Sequence, residues 1–253
     1  MQHSIQRHTG PRPLFRMVVP RYPAFNIYSR VAHRTTSLGP VCVATAARDI
    51  GGWDVEVIDE NNYRELGPQA TDGAPDHRRL QKLRPADVVG LYGGLSSTAP
   101  RLYELARFYS SLGVPTIAGG QHFCCDNLAE ALDNKIDVVV TGEGEDAISE
   151  LLPAVLNGDP VSSIDGIAYL VNGEVVRSPD RAPLTDFDRF PLPDFSLVRY
   201  AKIKVYPINW TRGCGMDCEF CTVKGKPRAQ STERVFEQIK YLVEQRDARE
   251  FFL

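Results

Sequence analysis

The sequence predicts an α/β protein that opens with a doubly wound sheet of five parallel strands. Two observations lead to this prediction. Short apolar runs, mostly β-branched and with little polar alternation, recur through the N-terminal part of the chain, as expected for strands buried on both faces. Amphipathic stretches of helical period separate these runs. Alternating elements of this kind form a parallel sheet with helices on both faces.

Each element can be placed from the apolar pattern. In the helix from Ala99, Pro100 suits the first turn and Gly113 is a C-terminal cap. The order expected for the sheet is flavodoxin-like. The predicted strands are Met17–Val19, Val55–Ile58, Val88–Tyr92, Thr116–Ala118 and Val138–Val140. The predicted helices are Leu38–Ile50, Ala99–Leu112, Leu128–Asn134 and Glu145–Leu156.

Glycine-rich turns follow three of the predicted strands, at Gly93–Ser97, Gly119–His122 and Gly142–Glu145. Ligands of open α/β sheets bind at the carboxyl ends of the strands, where these turns fall. Glycine lets the backbone approach a ligand and expose its N–H groups. One such turn is explained as a tight βα connection without any ligand. Three such turns at one edge of the sheet make a ligand-binding crevice as good an explanation as tight connections alone.

The sequence pattern changes after the last predicted helix of the α/β domain. Ile167–Leu170 and Val175–Arg177 flank Asn172-Gly173, which predicts a hairpin with a type I′ turn. Prolines and phenylalanines then alternate, as in an extended connector anchored by aromatic rings. The connector's prolines and phenylalanines are Pro179, Pro183, Phe187, Phe190, Pro191, Pro193 and Phe195.

The last segment predicts one βα unit. A strand interrupted by Pro207 is expected over Ile203–Trp210, a helix capped by Ser231 follows, and a further strand opens at Phe251. The expected organisation is a disordered lead-in at 1–13, an α/β domain at 14–158, a hairpin and proline-rich connector at 159–202 and a further domain at 203–253.

Bulk composition excludes several classes of protein. A net charge of -3 and a pI near 6.0 give no electrostatic footprint for nucleic acid. No apolar run approaches the roughly 18 residues that span a bilayer, and the N-terminus lacks the apolar core of a signal peptide. The six cysteines are therefore expected in a reducing, cytoplasmic setting, where clustered thiols are more often metal ligands than disulfides.

Three of these cysteines, Cys214, Cys218 and Cys221, lie in one short loop. Soft thiolates suit iron, and three of them on a four-iron cluster leave one iron open to a small ligand. Gly213 and Gly215 supply backbone freedom for the loop. Zinc is the competing metal, but it requires a fourth ligand, and the loop holds a single C-x-x-C pair.

The pattern C-x₃-C-x₂-C after Trp210-Thr-Arg-Gly is similar to the motif of the radical SAM superfamily. The resemblance extends upstream, since four segments resemble the N-terminal domain of the B12-binding radical SAM proteins. These segments are Asp54–Asp59, Asp87–Leu91, Gly113–Gly120 and Val140–Glu145. The resemblance implies that residues from 203 onward begin a partial TIM-type radical SAM barrel.

The resemblance also implies cofactors and a reaction. Cys214, Cys218 and Cys221 would hold a [4Fe-4S] cluster, S-adenosylmethionine would occupy its open iron, and Phe220 would lie near the adenine. Cleavage would give methionine and a 5′-deoxyadenosyl radical, with an electron from a donor such as flavodoxin or ferredoxin. Cobalamin would serve methyl transfer to a small-molecule or other substrate, and some family members cyclise theirs. Cobalamin would border Gly93, Gly94, Leu95, Ser96, Ser97, Gly119 and Gly120.

Two features depart from the family pattern. The histidine motif D-x-H-x-x-G, which binds cobalt in many cobalamin proteins, is absent, and Arg21-Tyr22-Pro23 follows the first strand instead. His122 follows a glycine pair, but a lone histidine is more often a core or solvated residue. A βα unit of a barrel takes about 30 residues, so Trp210–Leu253 holds little more than one. The sequence is therefore expected to be a fragment that is not itself a competent catalyst.

Two rival functions stay open: a non-catalytic α/β module that binds cobalamin or another nucleotide-tailed ligand, and a zinc-stapled structural protein. Smaller signals are left without a role. We assign no catalytic residue, and the carboxylates of Glu143 and Glu145 suit a helix start. The basic turn Lys224, Lys226 and Arg228 is expected to be exposed, with contact to a carboxylate or phosphate as the alternative. Cys124 and Cys125 are expected to be buried spectators.

Overall fold

The computed structural model describes residues 12–64, 66–123, 127–216, 218–219, 221–223 and 225–253. The expected N-terminal lead-in therefore lies almost entirely outside the described residues. The main sheet has seven strands in the order β2-β1-β3-β4-β5-β6-β7. They are β1 (Leu14–Val19), β2 (Asp54–Asp59), β3 (Val88–Tyr92), β4 (Thr116–Gly119), β5 (Val138–Val140), β6 (Ile167–Val171) and β7 (Glu174–Arg177).

The first five strands are parallel and confirm the predicted flavodoxin-like order 2-1-3-4-5. The predicted hairpin is also present, and Asn172 (φ 52°) and Gly173 (φ 85°) adopt the positive φ values of its turn. The hairpin was expected to belong to the connector, but it lies in the main sheet. Strand β6 pairs antiparallel with β5, so the hairpin extends the sheet by two strands.

Seven α-helices lie in the described part of the chain, and four of them match the predicted ones to within a residue or two. Two of the others were not predicted, the single turn α1 and the short α3. The helices are α1 (Ser29–Ala32), α2 (Leu38–Asp49), α3 (His77–Leu83), α4 (Ala99–Ser111), α5 (Asn127–Asp133), α6 (Gly144–Asn157) and α7 (Thr232–Arg246).

The helices cover the two faces of the sheet. On one face α2 and α6 pack over inward-facing residues such as Phe15 and Met17. On the other face α4 and α5 pack over their sequence neighbours Leu14 and Val18. Adjacent residues of one strand thus enter opposite cores, which explains why the strand sequences show so little polar alternation.

The connector crosses the α2–α6 face and reaches the free edge of β2, where the Arg199 amide donates to the Val57 carbonyl at 2.9 Å. Phe195 is fully buried against Tyr206, with ring centroids 5.2 Å apart. Leu242 of α7 joins the same hydrophobic cluster. The sheet and the C-terminal residues therefore share one continuous core.

The C-terminal residues form the predicted βα unit with a different first strand. Strands β8 (Val205–Pro207) and β11 (Glu250–Phe252) pair in parallel around α7. The strand predicted over Ile203–Trp210 is shorter than expected, and it ends at Pro207, where an interruption was predicted. Pro207 donates no ladder hydrogen bond, and the chain leaves this pair to form a second ladder between β9 (Thr211–Arg212) and β10 (Arg228–Ala229).

Candidate cofactor site

A cavity of about 670 Å³ lies at the carboxyl ends of the parallel strands. This volume is in the range of small-molecule and cofactor sites. Its walls come from the turns after β4 and β5, from the start of α2, and from both ends of the cysteine loop. Lining residues include Leu38, Val43, Gly119, Gly120, Gly142, Gly213, Thr222 and Val223. We call this cavity the crevice.

Glycine forms part of the crevice wall because two loops meet there. The Gly93 amide donates to the Gly119 carbonyl at 2.8 Å, and the Gly93 carbonyl accepts from the His122 amide at 2.8 Å. Gly120 has φ +122°, and a Cβ there would lie 2.6 Å from the Gly93 oxygen. Only glycine fits such a backbone. Gly119 and Gly120 line the crevice with backbone alone, and the steric requirement for glycine at 120 comes from Gly93.

The other predicted turn residues lie beside the crevice. Gly93 to Ser97 are not among its described lining residues. Gly94 and Leu95 instead border a small separate pocket with Tyr22. Ser97 Oγ accepts from the Asn26 side chain at 3.2 Å. The structure therefore places Gly119 and Gly120 in the crevice wall, and the 93–97 turn behind that wall.

His122 is a core residue, as the sequence favoured. Its Nε2 lies 3.2 Å from the Tyr103 hydroxyl and its Nδ1 3.1 Å from Ser96 Oγ. Burial lowers the pKa of the His122 imidazole. Gln121, not His122, lines the crevice among the described residues.

The cysteine loop rises from the β9–β10 ladder beside the crevice. Gly213 (φ 86°) and Gly215 (φ 74°) take left-handed conformations. A Cβ on Gly213 would lie 2.9 Å from the Lys226 carbonyl oxygen, so glycine is required for the chain to close there. This explains the glycine that precedes Cys214. Phe220, expected near an adenine, lies outside the described residues.

The cysteines are accessible donors. Cys214 is exposed, and Cys218 and Cys221 are half-buried. The Cys221 amide donates to the Cys218 carbonyl at 3.1 Å. Within the described ranges, no three His, Cys, Asp or Glu side chains are arranged as a metal-binding group. The donor set itself, three thiols on a glycine-hinged loop, fits an iron–sulfur cluster with one open iron.

Sequence reasoning missed an ion-pair network that joins the loop to the sheet. Arg212 forms two hydrogen bonds to Glu145 and a longer contact of 3.3 Å to Glu143. Arg228 contacts both Glu143 oxygens, at 2.9 and 3.1 Å. Burial alone would raise the pKa of Glu143, but hydrogen bonds from Arg228 and the Leu184 amide lower it. The signal in the sequence was the turn Gly142-Glu-Gly-Glu145. Its two carboxylates lie at the start of a helix and also pair with the two arginines.

Cys42 lies in the crevice wall beside this network. Burial and the nearby charge of Glu145 raise the pKa of its thiol to about 12. Cys42 is therefore a neutral thiol in this setting and a poor metal ligand.

Among the described residues of the basic turn, the expectation of exposure holds for Lys226. Lys226 is exposed, whereas Arg228 contacts a carboxylate, which was the alternative considered for it. Lys224, Cys124 and Cys125 lie outside the described residues. None of the described helices is both long and apolar enough to cross a bilayer.

Comparison with known proteins identifies a domain family and several similar proteins. The B12 binding domain family model matches residues 27–152. An uncharacterized methyltransferase of Pyrococcus horikoshii is 31% identical over 64% of this chain and 38% of its own length. The anaerobic magnesium-protoporphyrin IX monomethyl ester cyclase of Rubrivivax gelatinosus is 29% identical over 69% of this chain and 34% of its own length. The hopanoid C-3 methylase of Methylococcus capsulatus is 28% identical over 88% of this chain and 43% of its own length.

Solved structures show the same fold. The radical S-adenosylmethionine methyltransferase TsrM from Kitasatospora setae superposes with a TM-score of 0.66 at 20% identity, over 93% of this chain and 46% of that one. The cobalamin-dependent S-adenosylmethionine radical enzyme OxsB gives 0.65 at 16% identity, over 92% of this chain and 32% of that one. The chain therefore contains a match to the B12 binding domain family over residues 27–152, and it shares its fold with these two solved enzymes. It spans less than half the length of the curated relatives it matches.

Proposed function

We propose that this chain is part of a radical SAM enzyme that uses cobalamin in methyl transfer. In this proposal the crevice holds cobalamin, and Cys214, Cys218 and Cys221 hold a [4Fe-4S] cluster. S-adenosylmethionine binds at the open iron. The observation that carries the proposal is the shared crevice, because its wall combines the glycine turns of the B12-binding domain with both ends of the cysteine loop.

The described residues have distinct parts in this arrangement. Gly119 and Gly120 present a wall without side chains, against which a corrin ring can lie. The three thiolates supply soft ligands for iron. When bound, the cluster supplies one electron for reductive cleavage of the S-adenosylmethionine sulfonium, and cobalamin supplies a carrier for a methyl group.

Methyl transfer is proposed ahead of cyclisation because the relative matched at 31% identity is a methyltransferase by name, and the relative matched over 88% of this chain is a methylase. Cyclisation is the alternative, since three other relatives are named cyclases. The proposed substrate is a small molecule, and the proposed electron donor is a flavodoxin or ferredoxin. Thiolate ligands also favour a reducing, cytoplasmic setting.

The first experiment is anaerobic purification, reconstitution with iron and sulfide, and EPR of the dithionite-reduced chain with and without S-adenosylmethionine. A [4Fe-4S] signal that S-adenosylmethionine perturbs, and that is lost in Cys214→Ala, supports the cluster site. Cys42→Ala is the matched control, since Cys42 lies outside the loop, and it should keep the signal. Stoichiometric zinc without a cluster would contradict the proposal and favour a structural metal site.

Cobalamin binding is tested separately, by titrating the full chain with hydroxocobalamin and following its absorption spectrum. Saturable binding at a ratio of about one per chain supports the crevice assignment. Binding without any cluster in the reconstituted chain would favour the non-catalytic module instead.

A further inference from the structure

We propose that Arg212, Arg228, Glu143 and Glu145 form a clamp that positions the cysteine loop over the crevice. The inference rests on the proposed function, because it assigns these residues to the placement of the cluster relative to the cobalamin site. They are positioning residues: they act through the loop backbone and touch no iron ligand side chain in the contacts described above.

The two arginines lie opposite each other in the β9–β10 ladder, where Arg212 is the register partner of Arg228. Like charges directly opposite one another in a sheet are destabilising. Glu143 resolves this conflict because its carboxylate contacts both guanidinium groups, at 3.3 Å from Arg212 and 2.9 Å from Arg228. A ladder of only two residue pairs is therefore closed by a carboxylate from another element.

Glu145 adds a second anchor to the same arginine. It is 5% exposed and lies in the first turn of α6. Both of its oxygens accept from Arg212, a fork geometry that is the strongest kind of side-chain ion pair. Since α6 begins directly after β5, the clamp ties the loop to the edge of the B12-binding sheet.

The connector completes the clamp from a third side. The Phe187 ring lies under both guanidinium groups. The Cζ atom of Arg212 is 4.8 Å and that of Arg228 is 5.4 Å from the ring centroid. Phe187 is itself buried. The Leu184 amide donates to Glu143 at 2.6 Å, which holds the carboxylate in place.

The placement of the clamp gives it a functional consequence. Arg212 lies two residues before Cys214, and left-handed Gly213 separates them. The base of the loop is therefore held against the sheet, while the glycines let the cysteines adapt to a cluster. A group transferred between two cofactors requires their geometry to be held within about 1 Å. The clamp supplies the fixed part of that geometry.

The test compares Glu145→Gln, Arg212→Gln and the double variant with the full wild-type chain. Glu150→Gln is the matched control, because Glu150 also lies on α6 and pairs with an arginine, Arg181, at 2.8 Å. Amide hydrogen exchange is measured in peptides that span β9 and β10, without any metal. Iron per chain and the response of the reduced EPR spectrum to S-adenosylmethionine are then measured after reconstitution.

Each single variant should exchange about tenfold faster than wild type or more at the ladder, as loss of a charge-assisted hydrogen bond predicts. The double variant should exchange no faster than Arg212→Gln, since Arg212→Gln already removes the pair with Glu145 that Glu145→Gln removes. Reconstituted Glu145→Gln should keep its iron but lose most of the spectral response to S-adenosylmethionine.

Exchange within twofold of wild type in Glu145→Gln would overturn the clamp, as would a wild-type spectral response in a variant with fast exchange. Glu145→Gln is nearly isosteric, so circular dichroism should show a folded chain. The exchange readout needs no cluster. A wild-type chain that takes up no iron would thus contradict the proposed function while the exchange data still decided whether the loop base is held.

Discussion

Replacing Gly120 by alanine should destabilise the fold strongly, because two physical costs combine at this position. A φ of +122° is strained for any residue with a Cβ, at about 1–3 kcal/mol. The added Cβ would also lie 2.6 Å from the Gly93 oxygen. Moving that backbone endangers the two hydrogen bonds of Gly93, each worth about 1 kcal/mol. The expected loss of unfolding free energy is about 3 kcal/mol.

Gly142→Ala is the matched control. Gly142 also lines the crevice, but its φ is not positive and a Cβ there meets no atom within 4 Å. This variant should be neutral, or more stable by up to about 1 kcal/mol, because alanine restricts the unfolded chain.

Thermal and urea unfolding followed by circular dichroism measure both variants. A loss of about 3 kcal/mol corresponds to a Tm lower by roughly 6–12 °C for a chain of this size. Equal stability of Gly120→Ala and Gly142→Ala would refute the reasoning that a backbone approach, and not the mere presence of a turn, requires glycine at 120.

Three further predictions concern stability, all measured by urea unfolding. Arg16→Met should cost about 3 kcal/mol, because it removes the buried partner of Glu56 at 2.7 Å and leaves this carboxylate with the more exposed Arg84; a loss below 1 kcal/mol would contradict this, and adding Glu56→Gln should recover part of it. Burial alone would raise the pKa of Glu60, but its interactions with His77 and Arg101 lower this pKa to about 2 from its ordinary 4.5. The stability it contributes is therefore present above pH 4.5 and lost as the pH falls towards 2, so Glu60→Gln should flatten the pH profile there, and an unchanged slope would contradict this. Ser231→Ala should cost about 1 kcal/mol, because Ser231 Oγ caps α7 by accepting from the Arg234 amide at 3.1 Å; a neutral result would show that the cap contributes nothing.

The parallel sheet could be predicted well because its strands are set by local apolar runs. The bounds of β3 and β5 match the predicted Val88–Tyr92 and Val138–Val140 residue for residue. Helix α3 was missed because its sequence is mainly polar and buries only His77 and Leu80. Its remaining signal was Asp76, which caps the helix by accepting from the Arg79 amide at 2.9 Å.

Features that depend on distant partners could not be predicted. The turn of the hairpin is local and was found, but its pairing with β5 is a contact between segments far apart in sequence. The buried pair of Arg16 and Glu56 was hidden for the same reason. Each charge interrupts an apolar strand, and its partners lie far away in sequence: Arg16 and Glu56 face each other on neighbouring strands, and Arg84 also contacts Glu56.

In the candidate site too, features set by local spacing could be predicted, and features set by distant contacts could not. The cysteines and the glycines at 119 and 120 could be found because metal ligands and close backbone approaches require particular residue types at short spacing. The 93–97 turn was placed at the ligand by the same argument, yet among the described residues it lies behind the crevice wall. A glycine reports that something comes close, and at Gly93 the close group is the Phe123 ring, with a Cβ separation of 2.5 Å.

The clamp shows why pairing must be considered together with spacing. Glu143 and Glu145 follow a strand end, and Arg212 and Arg228 flank the cysteine loop, so neither pair has an evident role when its own segment is considered alone. Together the four charges cancel: two carboxylates neutralise two guanidinium groups, in a place where either pair alone would be costly to bury. That mutual dependence couples the loop to the sheet. A substitution at the end of β5 should therefore disturb the cysteine loop, although no residue of β5 touches a cysteine in the contacts described.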